Sequence, residues 1–140
     1  MKGLDTNVVL RLLLRDDLEQ AVAADAFAEA ECSAETPCLI NRIVLVEIAW
    51  VLQSGYGVAR PQVAAIIEGI LRTEVFAVEN APEVWAALRD YRHGRADFAD
   101  CLIGRTNRAR GCGITATFDR AAASLDGFVL VATAGQDPRS

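Results

Sequence analysis

Five carboxylate side chains lie at positions where solubility does not explain a charged residue. Asp5 and Asp119 each follow a predicted strand, and ligands of open α/β sheets bind at the carboxyl ends of strands. Glu47 lies in the run I-V-L-V-E-I-A-W-V-L, where the residues three and four positions away are apolar, so we expect it to be buried. Asp97 and Asp100 are three residues apart at the start of a predicted helix and share one face. This pattern predicts that carboxylates from two strand ends and two helices point at one place.

Carboxylates held this close repel one another and raise each other's pKa. A divalent cation relieves the repulsion, and an all-oxygen ligand set suits Mg²⁺ or Mn²⁺. Such ions activate water and stabilise in-line displacement at phosphorus, so the chemistry needs no histidine base. The single histidine, His93, is expected at the solvated end of a helix beside Gly94. The residue types therefore indicate metal-dependent chemistry on a phosphoester.

Four of these five acids also have a structural interpretation, which the sequence leaves open; it is weaker for Asp100, which leads into an apolar run. Asp5 and Asp119 suit the N-caps of the helices that follow them. Asp97, with an acid three residues later, resembles a capping box. Glu47 could face a solvent gap or pair with an arginine. The combination of acids favours a site over a set of unrelated structural roles.

The elements that must position these acids alternate between strands and longer helices. Strands are predicted at 1–4, 38–40, 75–78, 113–118 and 128–132, and helices at 6–14, 17–32, 43–53, from Arg60 onward, 81–93, 97–110 and 120–125. This alternation is typical of βαβ crossovers and a parallel sheet. The predicted fold is α/β with three layers, a mostly parallel central sheet with helices on both faces. The 140 residues suffice for one domain, predicted over 1–134, with a loose tail at 135–140.

Composition narrows the remaining classes. With 14 basic and 19 acidic residues the net charge is −5, which predicts no broadly basic surface but hides local asymmetry. Lys2 is the only lysine, and the other basic residues are arginines, which bind phosphate bidentately. The sequence contains neither a G-x-x-x-x-G-K-[ST] phosphate loop nor a G-x-S-x-G elbow.

The cysteines form no C-x-x-C pair, which argues against zinc-ribbon and thioredoxin-like sites. We expect buried free thiols in a reducing cytoplasm at all four positions, Cys32, Cys38, Cys101 and Cys112. Neither an export signal nor an apolar run of about 20 residues is present. The sequence therefore predicts a cytoplasmic protein with no membrane association.

Four short motifs, taken together, resemble a known family. In order they are G-L-D-T-N-V, L-V-E-I-A-W-V-L, A-D-F-A-D-C-L-I-G and T-F-D-R. Their order and spacing resemble the PIN-domain ribonucleases, and most closely the VapC-type toxins of bacterial toxin–antitoxin pairs. The resemblance extends from Lys2 to about Val131. Each motif is short, and the specificity lies in the combination.

The resemblance implies roles for particular residues. The family's catalytic and metal-binding acids correspond to four positions here, Asp5, Glu47, Asp100 and Asp119. Residues expected to support those ligands are Thr6, Asn7, Asp97 and Thr117. The resemblance further implies a Mg²⁺-dependent endoribonuclease, with Mn²⁺ as a second candidate ion, that cuts structured or translation-related RNA. It also implies a cognate antitoxin protein and a homodimer.

Arginines near these acids are candidate RNA contacts. Arg11 and Arg15 lie four residues apart on the predicted first helix, and Arg120 directly follows Asp119. Alternatively, Arg15 balances the nearby acids that follow it in the turn, Asp16 and Asp17. Two other functional classes stay open, a catalytically silent PIN-like RNA-binding module and a metal-dependent phosphatase acting on small phosphoesters.

Overall fold

The computed structural model describes residues 1–134, so the predicted tail at 135–140 lies outside the described residues. The chain divides into two compact units, Met1–Ala81 and Pro82–Ser140. The prediction of a single domain over 1–134 stays a prediction.

The first unit combines helices with one parallel strand pair. Its elements are α1 (Thr6–Leu13), α2 (Leu18–Glu31), β1 (Cys38–Ile40), α3 (Arg42–Trp50), a π-helical turn (Val51–Gly55), α4 (Arg60–Arg72) and β2 (Phe76–Val78). β1 and β2 pair in parallel, with Cys38 opposite Phe76 and Ile40 opposite Val78. The predicted first strand is reduced to one parallel bridge between Gly3 and Leu39. Fully buried aliphatic residues from several elements pack the core, among them Val9, Ile40, Leu45, Ile48, Leu52, Val63 and Ile67.

A disulfide bond between Cys32 and Cys38 joins the end of α2 to the start of β1. The Ser33 amide donates to the Thr36 carbonyl oxygen, and the Thr36 amide donates to the Ser33 hydroxyl. This turn brings the two cysteine Cα atoms to 5.3 Å, a separation that a disulfide spans. The expectation of free thiols is therefore wrong for these two residues.

The second unit contains α5 (Ala81–His93), which begins at its boundary, and then α6 (Phe98–Ala109), β3 (Thr115–Thr117), α7 (Arg120–Ala123) and β4 (Phe128–Leu130). β3 and β4 pair in parallel, with Thr115 opposite Phe128. Tyr91 and Phe98 are fully buried and pack edge to face, with ring centroids 5.9 Å apart. Cys101 is buried as expected, whereas Cys112 is exposed and departs from that expectation.

The structure confirms the α/β class, because both strand pairs are parallel and helices alternate with strands. Most helix boundaries lie within three residues of the predicted ones, and both boundaries of α5 coincide with them. None of the helices within residues 1–134 combines the length and apolar character that crossing a membrane requires.

Candidate active site

Asp5 is held at the start of α1, where it acts as the N-cap. Its Oδ1 accepts a hydrogen bond of 3.0 Å from the Val8 amide. The chain just before it is fixed to β1, because the Leu39 amide donates to the Lys2 carbonyl and the Leu4 amide donates to the Leu39 carbonyl. The capping interpretation is thus correct for one oxygen of an exposed carboxylate, and it places that carboxylate at the end of a strand-like segment.

Glu47 lies on the exposed side of α3, so the expectation that it is buried was wrong. The buried face of this helix consists of Val44, Leu45, Ile48 and Ala49. Two apolar neighbours of Glu47 share its exposed side, since Ile43 is 70% and Trp50 is 67% exposed. An apolar neighbour three or four residues away therefore does not imply burial when a helix is apolar on most sides.

The start of α3 is fixed by two side chains. Asn41 is the N-cap, as predicted, and its Oδ1 accepts from the Val44 amide at 2.9 Å. Glu79, which directly follows β2, accepts from the Arg42 amide at 3.0 Å. This backbone hydrogen bond, together with the charge of the Arg42 guanidinium, lowers the pKa of Glu79. Glu79 was not singled out from the sequence, although it directly follows a strand, which is the signal that marked Asp5 and Asp119.

Three acids of the second unit are electrostatically coupled. Asp100 is half-buried in the first turn of α6. Desolvation by burial raises the pKa of Asp100, and the charges of Asp119 and Asp97 raise it further. The structure thus brings together the acids that the sequence placed on α6 and at the end of β3. Their mutual repulsion is the kind that a bound cation relieves.

Asp119 is held in place by the turn between β3 and α7. The Asp119 amide donates to the Thr117 hydroxyl at 3.0 Å, and its own Oδ1 accepts from the Ala122 amide at 3.1 Å. Thr117 therefore contacts the residue that it was expected to support. As with Asp5, the capping interpretation is correct for one oxygen of an exposed carboxylate.

Asp97 occupies the N-cap position of α6, yet its side chain makes no capping hydrogen bond there. The comparison with a capping box is therefore not supported. Its exposed carboxylate instead contributes a negative charge that acts on Asp100.

Close contacts position α6, the helix that carries Asp100. Arg105 donates two hydrogen bonds to Asp90 of α5, at 2.7 and 2.8 Å, and this interaction raises the pKa of Arg105. On the side toward β4, Gly104 approaches the Phe128 ring so closely that an added Cβ would overlap Cε1 of the ring. Glycine at this position therefore lets α6 pack against β4.

Arg11 of α1 and Arg15, which follows that helix, are both engaged in ion pairs. Arg11 contacts Asp16 at 3.0 Å, in line with the structural alternative of a charge balanced in the turn. Arg15 instead contacts Asp25 of α2 at 2.8 Å, so the alternative in which it balances Asp16 and Asp17 is not supported. Arg120 is exposed at the start of α7.

The remaining expected supporting residues are Thr6 and Asn7, which open α1 directly after Asp5. Thr6 is half-buried and Asn7 is exposed. Within residues 1–134, no three His, Cys, Asp or Glu side chains are arranged as a ready metal-binding group. The coupling among the acids of the second unit is therefore electrostatic rather than a preformed ligand shell.

Comparison with known proteins defines the class. The model of the PIN domain family matches residues 3–127, so the chain belongs to the PIN-domain family. Among curated proteins it is 30% identical, over 114 residues, to a protein named VapC ribonuclease from Aquifex aeolicus (strain VF5). The alignment covers 81% of this chain and 82% of that relative. No solved structure matches the chain significantly. The resemblance seen in the four motifs is confirmed.

Proposed function

We propose that this protein is a Mg²⁺-dependent endoribonuclease toxin that hydrolyses phosphodiesters of structured or translation-related RNA and is neutralised by a cognate antitoxin protein. The observation that carries the proposal is the match of the PIN-domain family over residues 3–127, in a chain whose α6 holds the half-buried carboxylate of Asp100. The relative named VapC ribonuclease supports RNA as the substrate.

The donor set fits a hard divalent cation. Asp5, Glu47, Asp100 and Asp119 would hold the ion through carboxylate oxygens, which Mg²⁺ and Mn²⁺ prefer. Asp100 is half-buried, and the charges of Asp119 and Asp97 act on it, which supports this assignment. Thr6, Asn7, Asp97 and Thr117 are proposed to support these ligands.

The chain's own residues provide orientation and charge for the reaction. When bound, the cation supplies an activated water and neutralises charge that develops at phosphorus. The hydrogen bonds from Val8 to Asp5 and from Ala122 to Asp119 restrict the two capping carboxylates before any ligand arrives. Positive charge for binding the RNA comes from three arginines, Arg11, Arg15 and Arg120.

The proposal is tested by assaying the purified full chain on single-stranded RNA and on a generic phosphomonoester, each with Mg²⁺ and with EDTA. We expect Mg²⁺-dependent internal cleavage of RNA and no release of phosphate from the monoester. Asp100→Asn, which keeps the shape but removes a ligand charge, should abolish cleavage. Asp126→Asn is the matched control, because Asp126 is an exposed turn residue of the same unit.

The other outcomes separate the alternatives. Release of phosphate from the monoester without RNA cleavage would identify a phosphatase. RNA binding without cleavage would identify a silent binding module. Full cleavage by Asp100→Asn would contradict the site assignment itself.

The toxin role, the homodimer and the cytoplasmic location belong to the same proposal. Support for the dimer comes from the apolar surface at Ile43 and Trp50, which a second copy could bury. Sedimentation of the wild type and of Trp50→Ala tests the dimer. Induced expression that arrests growth for the wild type but not for Asp100→Asn tests the toxin role.

A further inference from the structure

An open groove lies in the first unit between α1 and α2. Its cavity volume is about 430 Å³, within the range of pockets that hold small ligands. One end is formed by Gly3, Leu4 and Asp5, and the lining continues along both helices to Arg11 and Gln20. The groove thus connects a candidate metal ligand with a candidate RNA-binding arginine in one surface.

The walls between these ends are apolar. Val8 of α1 faces Ala23, Ala24 and Phe27 of α2 across the groove. The alanines leave room between the helices, because their side chains end at Cβ. The Phe27 side chain is 41% exposed, so it offers an accessible aromatic surface inside the groove. Aromatic rings of this kind stack on nucleobases in proteins that bind single strands.

A hydrogen-bonded network closes the end of the groove distant from Asp5. Arg11 Nε donates to Gln20 Oε1 at 2.7 Å, and Arg11 Nη1 donates to Asp16 Oδ1 at 3.0 Å. The Tyr56 hydroxyl donates to the other oxygen of Asp16 at 2.6 Å. The network holds an amide and a guanidinium in place, and these groups recognise the edges of bases.

The order of these chemistries along the groove matches one nucleotide. Asp5 and Arg11 are six residues apart, which corresponds to about 9 Å along a helix axis. Asp5, which is proposed to hold the cation beside the cleaved phosphate, stands at one end, apolar walls follow, and the polar network stands at the other end. A nucleotide presents the same sequence of groups, namely a phosphate, flat apolar base faces and a polar base edge.

We propose that this groove binds one unpaired base of the RNA substrate, adjacent to the phosphate that is cleaved. Phe27 packs against the base, while Gln20 and Arg11 contact its edge. The inference rests on the proposed ribonuclease function and adds a subsite that sets base preference. An unpaired base is favoured as the occupant because the groove is continuous with Asp5, which is proposed to hold the cation that acts at the RNA phosphate.

The test measures the affinity of oligoribonucleotides that contain one mapped cleavage site, in an Asp100→Asn background that prevents cutting. Oligonucleotides abasic at either nucleotide flanking the cleavage site are compared with the intact one. We expect one of the two abasic changes to weaken binding by about 5- to 150-fold, the range of a single stacked base. Phe27→Leu should weaken binding of the intact oligonucleotide and make it bind like the abasic one.

Matched variants keep the result interpretable. Val22→Ala removes a 62% exposed apolar side chain of α2 that does not line the groove, and it should leave the preference for the base intact. Phe27→Tyr keeps the ring and should keep the preference. If Phe27→Leu lowers the melting temperature sharply, Gln20→Ala tests the polar end instead, and it should narrow the difference in affinity among the four bases.

Several results would overturn the inference. Phe27→Leu and base removal each change the RNA affinity by some factor. If the two factors simply multiply when the changes are combined, the ring and the base are not in contact. Unchanged RNA affinity in Phe27→Leu, with loss of a co-expressed protein partner, would assign the groove to a protein. If cleavage depends on Asp100 but Phe27→Leu and base removal show no coupling, the result contradicts the proposed base subsite and leaves the proposed ribonuclease function standing. Absence of all RNA cleavage and binding contradicts the proposed function as well.

Discussion

In the first unit the candidate ligands Asp5 and Glu47 stand on exposed surfaces, whereas in the second unit Asp100 is half-buried and coupled to Asp119 and Asp97. The apolar sequence around Glu47 nevertheless predicted the opposite contrast. α3 buries one stripe and leaves its other apolar side chains exposed together with Glu47. Burial of an acid is therefore decided by the face that a helix presents to the core, not by the apolar character of its sequence neighbours.

The prediction with the largest expected effect tests whether Glu47, an exposed acid of the first unit, is as necessary for cleavage as Asp100, the half-buried acid of the second. Glu47→Gln should reduce RNA cleavage by more than about 100-fold, because loss of a ligand exceeds the 10–100-fold cost of losing an outer contact. Its melting temperature should not change, since an exposed carboxylate leaves no buried partner unpaired. Cleavage assays and thermal unfolding of the same preparation give both values.

Glu29→Gln, an exposed acid on α2, is the matched control for this change. Retained cleavage by Glu47→Gln would remove Glu47 from the site. The remaining candidate ligands would then be Asp5 of the first unit and the two acids of the second unit, Asp100 and Asp119.

The elements were predictable because local signals mark them. Asn41 caps α3 as its residue type indicates, and α5 begins and ends at the predicted residues. The first strand was predicted too long, because Gly3 forms a single bridge rather than a ladder. The disulfide could not be predicted, since it depends on how the turn at Ser33–Thr36 folds back. No periodic pattern encodes that closure.

The disulfide gives the next largest effect and is a second contrast between the units. Cys32 and Cys38 are bonded in the first unit, whereas Cys101 and Cys112 of the second are free. The bond closes a loop across six positions, so its loss should reduce the free energy of unfolding by about 2 kcal/mol by loop entropy. Urea denaturation of the oxidised and reduced wild type measures this difference.

Cys112→Ser serves as the control and should respond to reductant as the wild type does. Reduction should also accelerate amide hydrogen exchange at Leu4 and Leu39, whose backbone bonds link β1 to the segment before Asp5. Equal stability of the oxidised and reduced forms would show that the turn holds the two elements without the bond.

Two acids should respond to pH with opposite sign. In the metal-free protein the pKa of Asp100 is raised by desolvation and by its acidic neighbours, so the folded state binds its proton more tightly than the unfolded state. Stability therefore falls as pH rises through the window above about 3.9, the ordinary pKa of aspartate. Asp100→Asn should raise the melting temperature at pH 7 by at most a few degrees. The gain should vanish below that window and reverse when Mg²⁺ is added, because only the wild type binds the ion fully.

The pKa of Glu79 is lowered by the Arg42 amide and guanidinium, so its contribution has the other sign. That stabilisation is present above about pH 4.3, the ordinary pKa of glutamate, and is lost as pH falls through the lowered value. Glu79→Gln should therefore lower the melting temperature at pH 7, by a small amount because the carboxylate is partly exposed. Melting curves of both variants from pH 3 to pH 8 test the contrast, and a shift of the same sign in both would contradict it.

The chemistry of the site could be predicted from residue types, but the side chains with which its residues pair could not. The acids at 97, 100 and 119 could be grouped because a strand end and a helix start place them by local rules. The contact of Arg15 with Asp25 joins the turn after α1 to α2, and its geometry depends on how α1 and α2 pack. The same packing forms the groove that contains Phe27, which no spacing in the sequence indicated.

The smallest expected effect concerns the arginines of the two units. In the Asp100→Asn background, loss of one phosphate contact should reduce the salt dependence of single-strand binding by roughly 0.7 in slope. Arg120→Ala should show this change, because Arg120 is exposed directly after a candidate ligand. Arg11→Ala should show a smaller one, since Asp16 already neutralises part of its charge and Gln20 directs it toward the groove. Affinities measured across a salt series, with Arg72→Ala of α4 as a surface control, give the three slopes. If Arg11→Ala reduces the slope as much as Arg120→Ala, Arg11 contacts a phosphate rather than a base edge.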